Sequence, residues 1–342
     1  MSRLEDSSSE PQGGTTDRSP HAKSKTGSSR LVWLDVARGV ALVAMAIYHF
    51  AWDLEFFGYS EPGTAGQGGW RLFARGIASS FLFLAGFSLV LGHGRQFRPT
   101  PFFRRLAMIV AAAAAITLAT YFATPDRFIF FGILHSIAAA SLIGVLALKL
   151  PWPVLIILGA GAVAAPQFLR SAIFDMPWLW WIGLSTSNPP SNDYVPIFPW
   201  LGPFLIGMAA AKLAVRYGWL GFLEGRERGG LQRWLVLGGR HSLAVYLLHQ
   251  PILIAGLYLF SLVSPPPAPD PVETYLRDCN RSCSATNPAG YCERFCDCTL
   301  GALLDTQQFN DLMSGRVDAG DDGIAGIASQ CSFDALENGA LQ

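Results

Sequence analysis

The chain has 342 residues, no net formal charge, 51% hydrophobic residues and 15% charged residues. A soluble domain carries about 25% charged residues, so a normal water-facing surface is excluded over most of the chain. Wholesale disorder is excluded too, because disordered chains are poor in apolar residues. With no basic excess to neutralise phosphates, nucleic-acid binding is not expected. The composition is that of a polytopic membrane protein with soluble ends.

Residues 1–30 are rich in Ser, Gly, Thr, Lys and Arg and hold no apolar run. They are expected to form a disordered cytoplasmic tail, not a signal peptide, since no charged start leads into a short apolar core. Residues 31–263 hold nearly all the long apolar runs. A helix that crosses the hydrocarbon needs about 20 mostly apolar residues. On that length the fold expected is all-α, with about seven transmembrane helices at 34–52, 72–92, 106–123, 128–148, 152–169, 197–214 and 241–262. The fifth fits least well, being short and rich in Gly, Ala and Pro. The Pro-rich run 264–271 cannot continue a helix and marks a linker to a Cys-rich domain over 272–342. No internal repeat is evident.

Orientation follows from Lys and Arg. With the N-terminus inside, the inner segments 1–33, 93–105, 149–151 and 215–240, with Lys212, carry about 16 basic residues. The outer loops before the linker carry Arg71, Arg75, Arg127 and Arg170. Seven spans then place the C-terminal domain outside the cytoplasm. The cysteines are consistent with that side. All six lie beyond residue 278, as Cys279-x3-Cys283-x8-Cys292-x3-Cys296-x-Cys298 with Cys331 downstream. Disulfides persist in oxidising compartments such as the bacterial periplasm. Cysteines four apart share a helix face, so a helical hairpin can be stapled as Cys279–Cys296 and Cys283–Cys292, leaving Cys298–Cys331. Six cysteines allow 15 connectivities. Zinc is the rival reading, although CxxxC is not a standard zinc spacing.

Polar residues inside spans are costly and are usually functional or paired. In the first span, Asp35 and Arg38 are three apart and can pair. Arg38 and His49 are about three turns apart on one face. That face can line a path across the membrane; the plainer alternative is an anchoring ion pair and an interfacial His. Trp52, Asp53 and Glu55 follow at the outer surface, where a carboxylate can orient the His49 imidazole or raise its basicity. The plainer reading is an interfacial Trp with solvated acids.

The inner loop from Arg95 to Arg105 is a basic patch. Guanidinium forks bind phosphates, so it suits a ligand with several phosphates, or it is ordinary positive-inside charge. His135, His241 and His249 lie in or near spans. Their spacing is not diagnostic of a haem pair, and packing histidines are the plainer reading. Loop 170–200 holds Trp178, Trp180, Trp181 and Trp200 with Asn192, Asp193 and Tyr194. It suits either an interfacial aromatic belt or sugar binding.

Several stretches resemble bacterial members of the heparan-α-glucosaminide N-acetyltransferase catalytic-domain family. They are Leu34-Asp35-x-x-Arg38-Gly39; Ile47-Tyr48-His49-Phe50-Ala51-Trp52-Asp53-Leu54; the run from Arg71 through Arg75 to Gly86; Phe131-Gly132-Ile133-Leu134-His135; and Asn192-Asp193-Tyr194-Val195-Pro196. The wider superfamily shares Arg-Gly…His in its first span, paired arginines near the third, and a late Tyr-Leu-x-His-x-Pro. Here these are Arg38-Gly39…His49, Arg104-Arg105 and Tyr246-Leu247-Leu248-His249-Gln250-Pro251. The resemblance covers about residues 31–262.

It implies a membrane-bound transferase that moves an acyl group, acetyl above all, from cytoplasmic acetyl-CoA to an extracytoplasmic glycan or glycolipid. It implies a bacterial cytoplasmic membrane and no metal. His49 would be the acyl-transfer base with Asp53 beside it. Arg38, Arg104 and Arg105 would hold the donor. Asp35, Arg75, His135, Asn192, Asp193 and His249 would serve the acceptor. One departure is plain. The lysosomal branch has its active His in the loop before the second span, where this chain has Gln67, and glutamine cannot act as a base at neutral pH. The alternative function is a transporter or a lipid- or glycan-binding membrane protein, with the polar face of the first span as its path. The missing inverted repeat counts against that alternative.

Overall fold

The computed structural model describes residues 32–223, 229–268, 270–318 and 320–337. The expected tail at 1–30 lies outside them. Among the described residues the chain is helical, with no strand. Its helices are α1 (Val32–Phe56), α2 (Gly68–His93), α3 (Pro99–Ala123), α4 (Ile133–Ala147), α5 (Trp152–Phe168), α6 (Ile197–Arg216), α7 (Leu220–Leu223), α8 (Leu231–Arg240), α9 (Ser242–Val263), α10 (Pro271–Cys283), α11 (Ala289–Asp305), α12 (Phe309–Met313) and α13 (Asp322–Glu337).

Seven spans were expected, and each falls on a helix, but the lengths divide them. α1, α2, α3, α6 and α9 are long and apolar enough to cross a membrane. α4 and α5 have 15 and 17 residues, or roughly 22 and 25 Å, short of a hydrocarbon core of about 30 Å. α4 was expected to begin near 128 and begins at Ile133. The reason lies in a distant loop. Ser191 Oγ donates to the Phe128 carbonyl at 3.1 Å, and the Val195 N–H donates to the Phe131 carbonyl at 3.0 Å. These bonds hold 128–131 out of the helix.

The chain divides into two compact units, Met1–Val43 with Ala78–Val245 and Ala44–Ile77 with Tyr246–Gln342. In the first unit α6 is the central helix, packed on α4 and α5, with Phe204 and Met208 fully buried. Close approach is made possible by missing side chains. A Cβ on Gly86 of α2 would lie 2.0 Å from the Phe204 carbonyl oxygen, and one on Gly207 of α6 would lie 2.1 Å from that of Phe83. α1 and α8 cross in the same way. A Cβ on Gly39 would lie 2.2 Å from the Leu235 oxygen, and one on Gly239 would lie 1.9 Å from the Asp35 oxygen. Val32, Val36 and Val236 fill the seam beside that crossing. Small residues serve this purpose in membrane helices, where close packing drives association.

In the second unit, the stretch after α1 is tied back by its own polar groups. Glu55 accepts from the Gly63 and Ala65 N–H groups at 2.5 and 3.0 Å, and Tyr48 donates to the Ala65 carbonyl. Tyr59 donates to the Ser264 carbonyl. α10 begins with Asp270 capping the Val272 N–H at 2.8 Å and Pro271 at its first position, an arrangement favoured at helix starts. Disulfides Cys279–Cys296 and Cys283–Cys292 staple α10 to α11, and Cys298–Cys331 joins α11 to α13. This is the pairing that the CxxxC spacing suggested, and every cysteine is bonded. Leu303, Phe309 and Ile324 form the small core there, with Tyr275 and Leu300 against it.

Gly86→Val inserts carbon where only a carbonyl now fits, and overpacking of this kind costs about 1–3 kcal/mol. It should lower the melting temperature of the detergent-solubilised protein by several degrees. Gly92, with no atom near its absent Cβ, is the control, and Gly92→Ala should leave that temperature unchanged or slightly raised.

The start of α4 gives a second test. Gly132 has no side chain to cap the helix, and the Asp193 carboxylate accepts from the Ile133 N–H at 2.9 Å in its place. Burial pushes this carboxyl up from 3.8 to about 6, against the opposing pull of the Ile133 N–H. Between those values the folded chain holds a proton that the unfolded chain has released. The stability this confers is complete below 3.8 and is lost as the pH rises through about 6. Thermal unfolding of wild type and Asp193→Asn across pH 3.5–7 should show that extra fall in the wild type alone; parallel curves would contradict it.

Candidate functional site

In the first unit, the α1–α8 crossing places two arginines on one acid. Asp35 accepts from Arg38 Nη1 at 3.2 Å, and Arg240 Nε lies 3.6 Å from its other oxygen. Arg38 Nη2 donates to Ser88 Oγ on α2 at 2.6 Å, and Ser88 passes its own proton to the Leu84 carbonyl at 2.5 Å. Arg105 is within electrostatic range of Arg38. Arg104 and Arg105, neighbours on α3, are both exposed. Asp35 is thus shared by two guanidiniums, with a third near Arg38, and this gathering of arginines is suited to an anion. Asp35, expected to serve an acceptor, is here the counter-ion that orients two of the three.

The second unit holds the histidines. His49 Nδ1 and His249 Nε2 are 2.5 Å apart, on α1 and α9. The rings are within 14° of parallel, with centroids 4.8 Å apart. That separation exceeds the nitrogen–nitrogen distance by about two ring radii, so the rings meet edge to edge in a common plane. His249 Nδ1 lies 2.6 Å from the Tyr246 carbonyl. One turn along α1, the Gln250 amide donates to Asp53 Oδ1 at 2.6 Å.

Asp53 is fully buried, not a solvated surface acid, and its described partner is Gln250, not His49. The expectation that its carboxylate orients the His49 ring is replaced by a ring-to-ring bond. The reason is register: His249 stands opposite His49, and Gln250 stands opposite Asp53. Asp53 Oδ2 and Gln250 Oε1 are buried without a hydrogen-bond partner among the described residues.

The other expected residues fall elsewhere. His135, Asn192 and Asp193 gather at the start of α4. His135 Nδ1 accepts from the Gly132 N–H at 3.2 Å. Thr117 Oγ1 gives its proton to the Ile129 carbonyl at 2.7 Å, so His135 Nε2, 3.3 Å away, is the donor in that pair. Both ring nitrogens of His135 are occupied. Asn192 Nδ2 donates to Thr124 Oγ1 at 2.9 Å. These contacts hold a loop against a helix end. Arg75 is exposed on α2 in the second unit.

In the aromatic loop, Trp180 Nε1 donates to the Asp175 carbonyl and Tyr194 donates to the Trp180 carbonyl. Trp178 and Trp181 remain exposed. Ser88, Arg240 and Gln250 had no role in the sequence reading. Arg240 was only one of many inner basic residues. Gln250 stood within the Tyr-Leu-Leu-His-Gln-Pro stretch, with nothing to say that Asp53, 197 residues earlier, would meet it.

No curated protein and no solved structure matches the chain. A family model described as "Heparan-alpha-glucosaminide N-acetyltransferase, catalytic" matches residues 30–251, a stretch that takes in Asp35, Arg38, Arg105 and Arg240 as well as His49, Asp53, His249 and Gln250. The chain belongs to that family of membrane acetyltransferases.

Proposed function

We propose that this protein transfers an acetyl group from cytoplasmic acetyl-CoA to a hydroxyl or amine of a glycan or glycolipid outside the cytoplasm, within a bacterial cytoplasmic membrane. The observation that carries the reading is the His49–His249 bond, set inside the stretch that the transferase family matches.

The donor's phosphates suit the guanidinium cluster. Arg38 and Arg105, with Arg240 as a third partner, present fork-shaped donors of the kind that bind phosphates. Arg104, exposed beside them, adds charge at the approach. The bound thioester supplies an activated acyl carbon. His49 takes the proton of the acceptor hydroxyl or amine as that atom bonds to the acyl carbon, and holding both substrates in place supplies much of the rate.

On this reading Asp35 and Ser88 position Arg38. His135, Asn192 and Asp193 shape the loop that carries the exposed tryptophans, whose rings suit a sugar face. Arg75 offers a charge to an anionic acceptor. The positive-inside count supports an inner N-terminus, and three disulfides suit an outer, oxidising C-terminal domain.

The test is label transfer in inside-out membrane vesicles supplied with radiolabelled acetyl-CoA. Wild-type protein should move label into lumenal or lipid-linked glycan. His49→Ala should lose about 10²–10⁴-fold of that rate while keeping its melting temperature. Full activity in His49→Ala would overturn the mechanism, and no transfer by wild type to any glycan fraction would overturn the function.

A further inference from the structure

We infer that His249 is a positioning residue that fixes the tautomer of His49, leaving His49 Nε2 as the bare nitrogen that does the chemistry. This rests on the acyl-transfer reading for its consequence, but its geometric content stands apart from it.

A backbone carbonyl only accepts. His249 Nδ1, 2.6 Å from the Tyr246 carbonyl, therefore carries a hydrogen. In an uncharged imidazole the other nitrogen is then an acceptor, so His249 Nε2 presents a lone pair to His49 Nδ1 at 2.5 Å. His49 Nδ1 must carry the hydrogen between them, and its own Nε2 is left with a lone pair. The edge-to-edge placement of the rings is what an in-plane N–H···N bond needs. His135 offers the contrast within the same protein. Its contacts place the hydrogen on Nε2 and engage both nitrogens, which leaves nothing free to act as a base.

The arrangement also gives the proton somewhere to go. His49 Nε2 accepts the proton of the acceptor X–H while X bonds to the acyl carbon and the C–S electron pair leaves with sulfur. The hydrogen on Nδ1 is then free to move to His249 Nε2, so the positive charge spreads over two rings. Return of that hydrogen to Nδ1 restores the His49 imidazolium, whose Nε2 proton can then be given to the departing sulfur. Nothing is gained or lost over the cycle. A side chain at 249 that offers an acceptor can hold the same tautomer; an apolar one cannot.

The experiment uses full-length protein with 15N-labelled histidine in lipid nanodiscs. Long-range 1H–15N correlation reports which nitrogen of each ring is bare, and His49→Gln assigns the His49 signals by their loss. We expect a bare Nε2 on His49 and a bare Nδ1 on His135. His249→Gln, which keeps an acceptor, should retain the His49 pattern and stay within about 10-fold of wild-type turnover. His249→Met should let the hydrogen move to Nε2 and lower kcat by about 100-fold or more with KM for acetyl-CoA little changed.

A protonated Nε2 on His49 in the wild type overturns the inference whatever the activity. So does His249→Met with the wild-type pattern. The expected spectra without acetyl transfer by any form would uphold the tautomer and overturn the proposed function. Should His249→Met fail to fold, the wild-type spectrum and the Gln variant decide the matter.

Discussion

The constraint beneath this structure is that apolar surroundings offer no partner to a polar group, so each one has to find its partner within the protein. Helices meet the requirement for the backbone, and the described residues are accordingly helical. Side chains have to meet it pairwise. In the first half of α1, Asp35 takes Arg38 and Arg240 together. In its second half, His49 takes His249 and Asp53 takes Gln250. α9 supplies both of the latter partners from adjacent positions, so the register of one helix sets two contacts at once.

The first of these pairs sits where two helices lie closer than ordinary side chains permit, and glycine provides the approach. Gly39 and Gly239 let the backbones of α1 and α8 touch, and Arg240, the next residue, thereby reaches Asp35. A glycine that does nothing chemical thus decides whether a third arginine joins the cluster. The two sets of polar residues on α1 are nonetheless different in kind. One gathers guanidiniums and is fit to hold an anion. The other pairs two imidazoles and is fit to move a proton. Binding and chemistry ask for those two qualities respectively.

Much of this was legible in the sequence, for reasons that can be given residue by residue. Long apolar runs located the spanning helices, although α3 begins at Pro99, seven residues before the expected start, and cysteines four apart suggested, among 15 possible connectivities, the stapling that is found. What the sequence concealed depended on partners far away in the chain. α4 is shortened by Ser191, Asp193 and Val195, some 60 residues on from the residues they hold, and no periodicity within 128–148 carries that information. His249 was noticed for its motif, but local spacing cannot reveal a bond to a residue 200 positions earlier. Asp53 was linked to His49 because they are one turn apart on α1; the true partners came from α9, where the same one-turn logic has no purchase.

The departure at Gln67 is where these observations bear most directly on mechanism. Gln67 is exposed and closes the short turn Thr64–Gly66, in a stretch fastened by Glu55 and Tyr48. An amide there can shape a loop but cannot take a proton at neutral pH. On the proposed reading the base is His49 on a helix, and the helix has to solve a problem that a solvated loop does not. A lone imidazole in an apolar setting has no partner to fix its tautomer or to share a charge once protonated. A second imidazole answers both needs without bringing in a permanent charge, which an aspartate in the same place would do at a high desolvation cost. Asp53, the carboxylate nearest along α1, is engaged by an amide instead, and the uncharged ring of His249 takes the place beside His49.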